Sequence, residues 1–200
     1  MSVIKHWVKL TSADVMVDGV EIPHQKHGAD LLLELFQVHI GDYPKFFKMD
    51  ALCRAGFVAS ELLIMNNLDT KSMEGESCGV ILFNTVGSLA TDKKYQTTID
   101  NYPSPSVFVY TLPNVLTGEI AIRNHYHGPT DFIVLDYAEA SAVVDILTYA
   151  FEDRKLNSLL TGWVECLDEN TFDIRMMIVE KEMISKKMLL VNEFKMFLNK

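Results

Sequence analysis

Cysteine is scarce in this 200-residue chain: Cys53, Cys78 and Cys166 are odd in number, widely spaced and outside any CxxC pair. That excludes a disulfide framework and reads as reduced, cytoplasmic thiols. No run of about 18 apolar residues occurs, so no transmembrane helix is expected. The opening MSVIKHWVKLTSADV lacks the long apolar stretch of a secretory signal. Cations are also short, 18 Lys and Arg against 27 Asp and Glu, for a net charge of −9. Nucleic-acid binding needs cationic side chains to displace counterions from phosphates, and anionic lipid repels an acidic chain, so neither is expected as a partner. No GxGxxG follows a strand, no GxxxxGK[ST] loop is found, and no GxSxG elbow marks an α/β-hydrolase. Repeats, low-complexity tracts and Pro/Gly/Ser-rich linkers are missing as well, which leaves one domain over 1–200.

What the chain does have is apolar side chains, 48 % of residues with a mean hydropathy of +0.11. Disorder is excluded, and a sizeable core is expected, with apolar surface left over for a partner. Residues 1–29 read as irregular or as short strands. Asp30 is a candidate cap for a short helix over 31–38. From 46 to 66 the pattern is helical, with Leu52, Ala55, Val58, Leu62 and Met65 recurring at three- and four-residue steps. Phe57, Leu63 and Ile64 make neighbouring faces apolar too, so that helix is expected to be covered on more than one side.

The continuous apolar runs 78–83 and 132–135 read as buried parallel strands. Helices are expected over 91–99, 114–124 and 138–153, the last with Ala140, Val143, Val144, Leu147 and Phe151 on one face. Residues 160–167 and 171–179 around the turn Asp168-Glu169-Asn170 read as an antiparallel hairpin. The tail 184–198 reads as a strand followed by a final amphipathic turn or two. This order of elements describes an α/β domain of three layers around a mixed β-sheet.

Few residues offer chemistry on their own account. His125 and His127 have the spacing of one strand face, and His24 and His27 that of a helix face. Neither pair has a third ligand nearby, and structural zinc requires four, so solvated or hydrogen-bonded histidines are the expectation and no metal is assigned. Cys53 lies in the apolar helix, Cys78 leads into a buried strand and Cys166 is near a strand end. Burial raises a thiol pKa, so all three are expected to be inert packing groups. The ten methionines read mainly as core filler, with a Met-rich contact face as the alternative.

Between residues 46 and 152 a more specific pattern emerges. Lys48-Met49-Asp50 opens a long helix. Gly79-Val80-Ile81-Leu82-Phe83-Asn84-Thr85 is followed by Gly87. Then come Leu112-Pro113-Asn114, Gly118-Glu119-Ile120-Ala121-Ile122-Arg123 and Gly128-Pro129. This run resembles the N-terminal half of the β-ketoacyl-(acyl-carrier-protein) synthases of the thiolase-like superfamily. PSVFVYTLPNVLTGEIAIRNHYHGPT is its most specific stretch. The resemblance implies a thiolase-like half-fold, an acyltransferase family and a place in fatty-acid or polyketide-type assembly.

In that family a strand after the Gly-Pro delivers a nucleophilic cysteine eight residues beyond the proline. Counting without gaps from Pro129 reaches Tyr137; a two-residue insertion reaches Glu139 instead. Neither is cysteine. With the ungapped count, Asp136-Tyr137-Ala138 looks like the acidic-Gln-Ala of chain-length factors, the non-condensing partners of synthases. The family's second half carries two catalytic histidines, whereas every histidine here precedes residue 128. No catalytic residue of the family carries over, and no cofactor is implied.

The resemblance therefore implies a chain-length-factor-like partner without catalytic cysteine. Its expected associates are another copy of itself or a full-length ketosynthase, with acyl carrier protein as a further one. Self-association or docking on another synthase subunit is expected to cover the apolar face of the 138–153 helix, unless the tail 183–200 folds over it. An acyl-thioester-processing enzyme using Tyr137 or Glu139, and an acyl-binding module, are the alternatives.

Overall fold

A computed structural model describes residues 4–66, 75–100, 102–153 and 155–198. Among these residues seven strands form one mixed sheet: β1 (Trp7–Thr11), β2 (Val15–Val17), β3 (Val20–Glu21), β4 (Cys78–Asn84), β5 (Thr130–Val134), β6 (Ser158–Asp168) and β7 (Thr171–Glu180). Their order across the sheet is β3-β2-β1-β7-β6-β4-β5. β5, β4 and β6 are mutually parallel, while β7 runs antiparallel to both β6 and β1. Within the first 29 residues, 7–21 thus form a small meander that extends the sheet on the β1 side.

Alternation along the strands sends side chains to two cores. Val80 and Leu82 of β4, Leu160 and Val164 of β6, and Ile174, Met176 and Ile178 of β7 face one side. There they meet α1 (Gly28–Leu35), α2 (Ala51–Met65) and α5 (Asn114–Asn124). Ile81, Phe83, Leu159, Trp163, Met177 and Val179 face the other side, against α6 (Ala140–Ala150) and α8 (Lys187–Leu198). The result is the expected three-layer arrangement. The smaller helices α3 (Leu89–Ile99), α4 (Pro105–Val109) and α7 (Lys181–Ile184) complete the chain.

Local chemistry fixes the element ends. Asp50 caps α2, its carboxylate accepting the Cys53 amide at 2.9 Å, so the helix starts at Ala51 and the preceding 3₁₀ turn (Pro44–Lys48) stays separate. α2 is buried on nearly all sides, as its apolar neighbouring faces anticipate. It approaches α5 closely at Gly56, where an added Cβ would lie 2.5 Å from a Leu116 methyl. The same two helices are stapled by the buried Glu61, which accepts from Arg123 Nε and Asn124 Nδ2, both at 3.1 Å. α1 begins at Gly28, two residues before Asp30, which sits in its first turn instead of capping it, and a π turn (Phe36–Ile40) follows.

Three expectations are corrected. β5 is not a buried strand: it is the outermost strand on its side, half exposed along its length. An apolar run reports hydrophobicity, and the edge position that exposes it is set by topology. The tail is not a strand but the two helices α7 and α8. Finally, the apolar face of α6 is not left open for a partner. α8 lies on it, and Val143, Val144 and Leu147 are at most 1 % exposed while Leu190 and Phe194 of α8 are as deeply buried.

Candidate functional site

The chain leaves β4 toward α5 on one face of the sheet and leaves β5 toward α6 on the opposite face. Where adjacent parallel strands send their connections to opposite sides, a crevice opens at their carboxyl ends, which is where open α/β sheets place their sites. Here that topological position falls between the turn 84–88 after β4 and the turn 135–139 after β5.

The β4 turn is tightly held. Asn84, fully buried, accepts the Gly87 amide at 2.8 Å and donates Nδ2 to the Gly87 carbonyl at 2.9 Å. Gly87 has a φ of +58°, a left-handed conformation that favours glycine. Glu165 at the end of β6 accepts from Thr85 N at 3.1 Å, Thr85 Oγ1 at 2.9 Å and Trp163 Nε1 at 3.1 Å. Ser88 Oγ donates to the Thr111 carbonyl, tying the turn to the start of the α5 region. Asn84, Thr85 and Gly87 stand in the motif read from the sequence. Glu165 was not singled out, because its partner lies 80 residues away and leaves no local signal.

The β5 turn is the opposite in character. Leu135 N donates to the Asn84 carbonyl and joins the two turns, but Asp136, Tyr137, Ala138 and Glu139 are all exposed. Tyr137 and Glu139 are brought together: the phenol donates to Glu139 Oε2 at 3.2 Å, and Ser141 Oγ donates to Glu139 Oε1 at 2.8 Å. Glu139 is the residue before α6, where a carboxylate is favoured by the helix dipole. Its hydrogen bond, followed by its charge, raises the Tyr137 phenol above its ordinary value near 10. At neutral pH that phenol keeps its proton and is not a nucleophile.

The thiols are elsewhere. Cys53, Cys78 and Cys166 are free and buried in the core shared with α1, α2 and α5, on the other side of the sheet from α6. Burial pushes Cys53 up and Cys166 up to about 12, so inert packing is what the structure shows for them. Cys78 Sγ lies 3.1 Å from Ser158 Oγ at the start of its strand. The histidine pairs are not on the elements their spacing evoked. His125 is the left-handed residue that ends α5, exposed with His127 at the amino end of β5, away from Tyr137. His24 and His27 lie on the segment before α1, rings 6.2 Å apart and perpendicular. Among the described residues no cluster of three or more His, Cys, Asp or Glu is placed to hold a metal. Of the methionines, Met176 and Met177 are core filler, whereas Met188 and Met196 stand on the outside of α8.

No protein-family model matches the sequence, and no curated protein is similar to it. Solved structures share the fold. The ishigamide ketosynthase/chain length factor superposes with a TM-score of 0.64 at 16 % identity, over 89 % of this chain and 61 % of that one. A ketosynthase in complex with its chain length factor from Xenorhabdus doucetiae gives 0.56 at 9 % identity, over 88 % and 77 %. A type II PKS acyl-carrier protein in complex with its ketosynthase bound to the hexaketide gives 0.59 at 11 %, over 92 % and 64 %. The domain therefore has the thiolase-like ketosynthase fold, and it spans about 61 % of the length of the first of these structures.

Proposed function

We propose that this chain is a non-catalytic, chain-length-factor-like partner in fatty-acid or polyketide-type acyl chain assembly. The observation that carries the reading is the turn after β5. On the ungapped count it occupies the family's nucleophile position, with Tyr137 there and Glu139 as the alternative. It presents a hydrogen-bonded phenol and a carboxylate to solvent. A condensing reaction needs a nucleophile, a proton-handling group and oxyanion donors in one place. Neither Tyr137, which holds its proton, nor Glu139, already bonded to two donors, supplies the first.

The partner surface on this reading is the free edge of β5. Val80 N donates to the Pro129 carbonyl and Leu135 N to that of Asn84, so the odd-numbered residues of this stretch bond to β4. The alternation turns the backbone groups of Thr130, Phe132 and Val134 outward; Asp131 Oδ1 accepts the Phe132 amide at 2.8 Å, and among the described residues no strand pairs with the rest of this edge. Apolar side chains flank it: Ile122 on α5, Val134 on β5 and Tyr149 on α6 are all more than half exposed. A ketosynthase subunit is the proposed occupant, with acyl carrier protein visiting the assembled pair.

The test is reconstitution with ketosynthases encoded beside its gene. Light scattering should give a mass equal to one copy of each chain, and product length should differ from that of the ketosynthase alone. A protein that elutes by itself and leaves the products unchanged overturns the proposal.

A further inference from the structure

His24 sits on the segment that carries the chain from β3 to α1. Its two ring nitrogens both face backbone carbonyls: Nδ1 lies 2.9 Å from Ile22 O and Nε2 lies 2.8 Å from Ala13 O. A carbonyl only accepts, and a neutral imidazole has one N–H, so only the imidazolium satisfies both contacts. With the neutral ring, one nitrogen lone pair would face a carbonyl oxygen at contact distance. That arrangement is repulsive and would open one side.

We propose that His24 is a proton-operated clamp holding the 22–27 segment onto the turn between β1 and β2. The clamp joins pieces that are otherwise linked by few bonds. Ala13 belongs to the β1–β2 turn, and Ser12 of the same turn accepts the Gly28 amide at 2.8 Å. Ala29 N donates to Asn170 Oδ1 in the β6–β7 turn at 3.2 Å, so the start of α1 rests on both turns. Glu34 on α1 accepts the Gln25 and Lys26 amides at 3.1 and 3.0 Å, closing the segment from the other side.

These turns lie at the end of the sheet where β6 finishes, the same end as the β4 and β5 turns, because β1 and β6 run in one direction. The charged neighbours favour the closed state: Asp14 on the β1–β2 turn and Glu34 on α1 both stabilise a positive ring. His27, with its ring centroid 6.2 Å away, is the further titratable group facing it.

The hydrogen bond to Ile22 is the largest cause raising His24 above its ordinary value near 6.5, so the sign of the effect is fixed. A group whose folded pKa is raised stabilises the closed segment fully below its unfolded value and releases it as pH climbs through the folded one. The switch therefore closes in mild acid and opens on the alkaline side.

Two-bond ¹H–¹⁵N spectra of the histidine rings, with amide hydrogen exchange of the whole protein, test this. At about pH 6 both His24 nitrogens should carry protons. After correction for intrinsic rate, protection of the Gly28 amide should fall roughly threefold or more by about pH 8.5. In His24→Phe that step should vanish while amides of β4 and β6 keep their protection. His24→Gln, closer in polarity, gives a second flat profile if the phenylalanine disturbs the turn. A ring with a single protonated nitrogen at about pH 6, or a pH step that survives in either variant, overturns the clamp.

Discussion

A thiol packed among aliphatic side chains holds its proton well past neutrality, because the low-dielectric surroundings penalise the thiolate. Cys166 shows this with its pKa pushed up to about 12, chiefly by burial and then by the charge of Asp50. Cys53, in the same core, is also raised well above its ordinary value for the same first reason. The consequence is a measurable pH dependence. Above about pH 8.5 the unfolded chain loses thiol protons that the folded chain retains, so stability is full below that value and declines as pH rises toward 12. Urea midpoints taken at rising pH should fall through this window, and Cys166→Ala should flatten part of the slope. Ellman's reagent should meanwhile find the thiols silent in the native protein and reactive once it unfolds. A native burst of reaction at neutral pH would contradict the burial. Single residues were read well from the sequence where their role is packing, as for these cysteines. They were read poorly where a partner lies far along the chain, as for Glu165 and Thr85, or for Glu61 and Arg123.

At the level of elements, α5 appears over the residues its periodicity marks, opened by Pro113 and closed at His125. The β6–β7 hairpin surrounds its polar turn as alternation requires, with one irregularity between Cys166 and Asp168. α8 was misread as part strand for a physical reason. Its inward side chains Leu190 and Phe194 are matched by outward Met188, Leu189 and Met196, so no single apolar stripe announces a helix. Its inward face does what the α6 surface required. Truncating Phe194 to alanine removes a side chain only 1 % exposed and should cost about 3–5 kcal/mol, read as a lower urea midpoint. If α8 is the cover of α6, the variant should also bind a hydrophobic dye such as ANS near its transition, as Val143, Val144 and Leu147 lose their shield. Unchanged stability would mean that α8 is a loose appendage.

In the molecule as a whole, one sheet edge is protected by its own short meander, β2 and β3, and the other, on the β5 side, is not covered by a strand among the described residues. On the β5 side the strand carries a single charge, Asp131, whose carboxylate accepts the Phe132 amide at 2.8 Å. Natural edges are usually blunted by lysines, prolines or bulges, and an apolar edge without them marks a place where another chain pairs. The geometry allows a clean probe. Val134 points its amide outward, so Val134→Pro removes no bond to β4 and places proline where edge strands tolerate it. Its side chain is already half exposed, so little packing is lost. The variant should melt within a few degrees of the parent yet fail to form the heterodimer with a ketosynthase. Tyr137→Phe, which alters only the exposed turn, should pair normally. Pairing that survives in Val134→Pro would move the partner surface away from β5. Loss of pairing in Tyr137→Phe as well would make the turn after β5 part of the interface itself, and the absence of a nucleophile there would then reflect docking as much as lost chemistry.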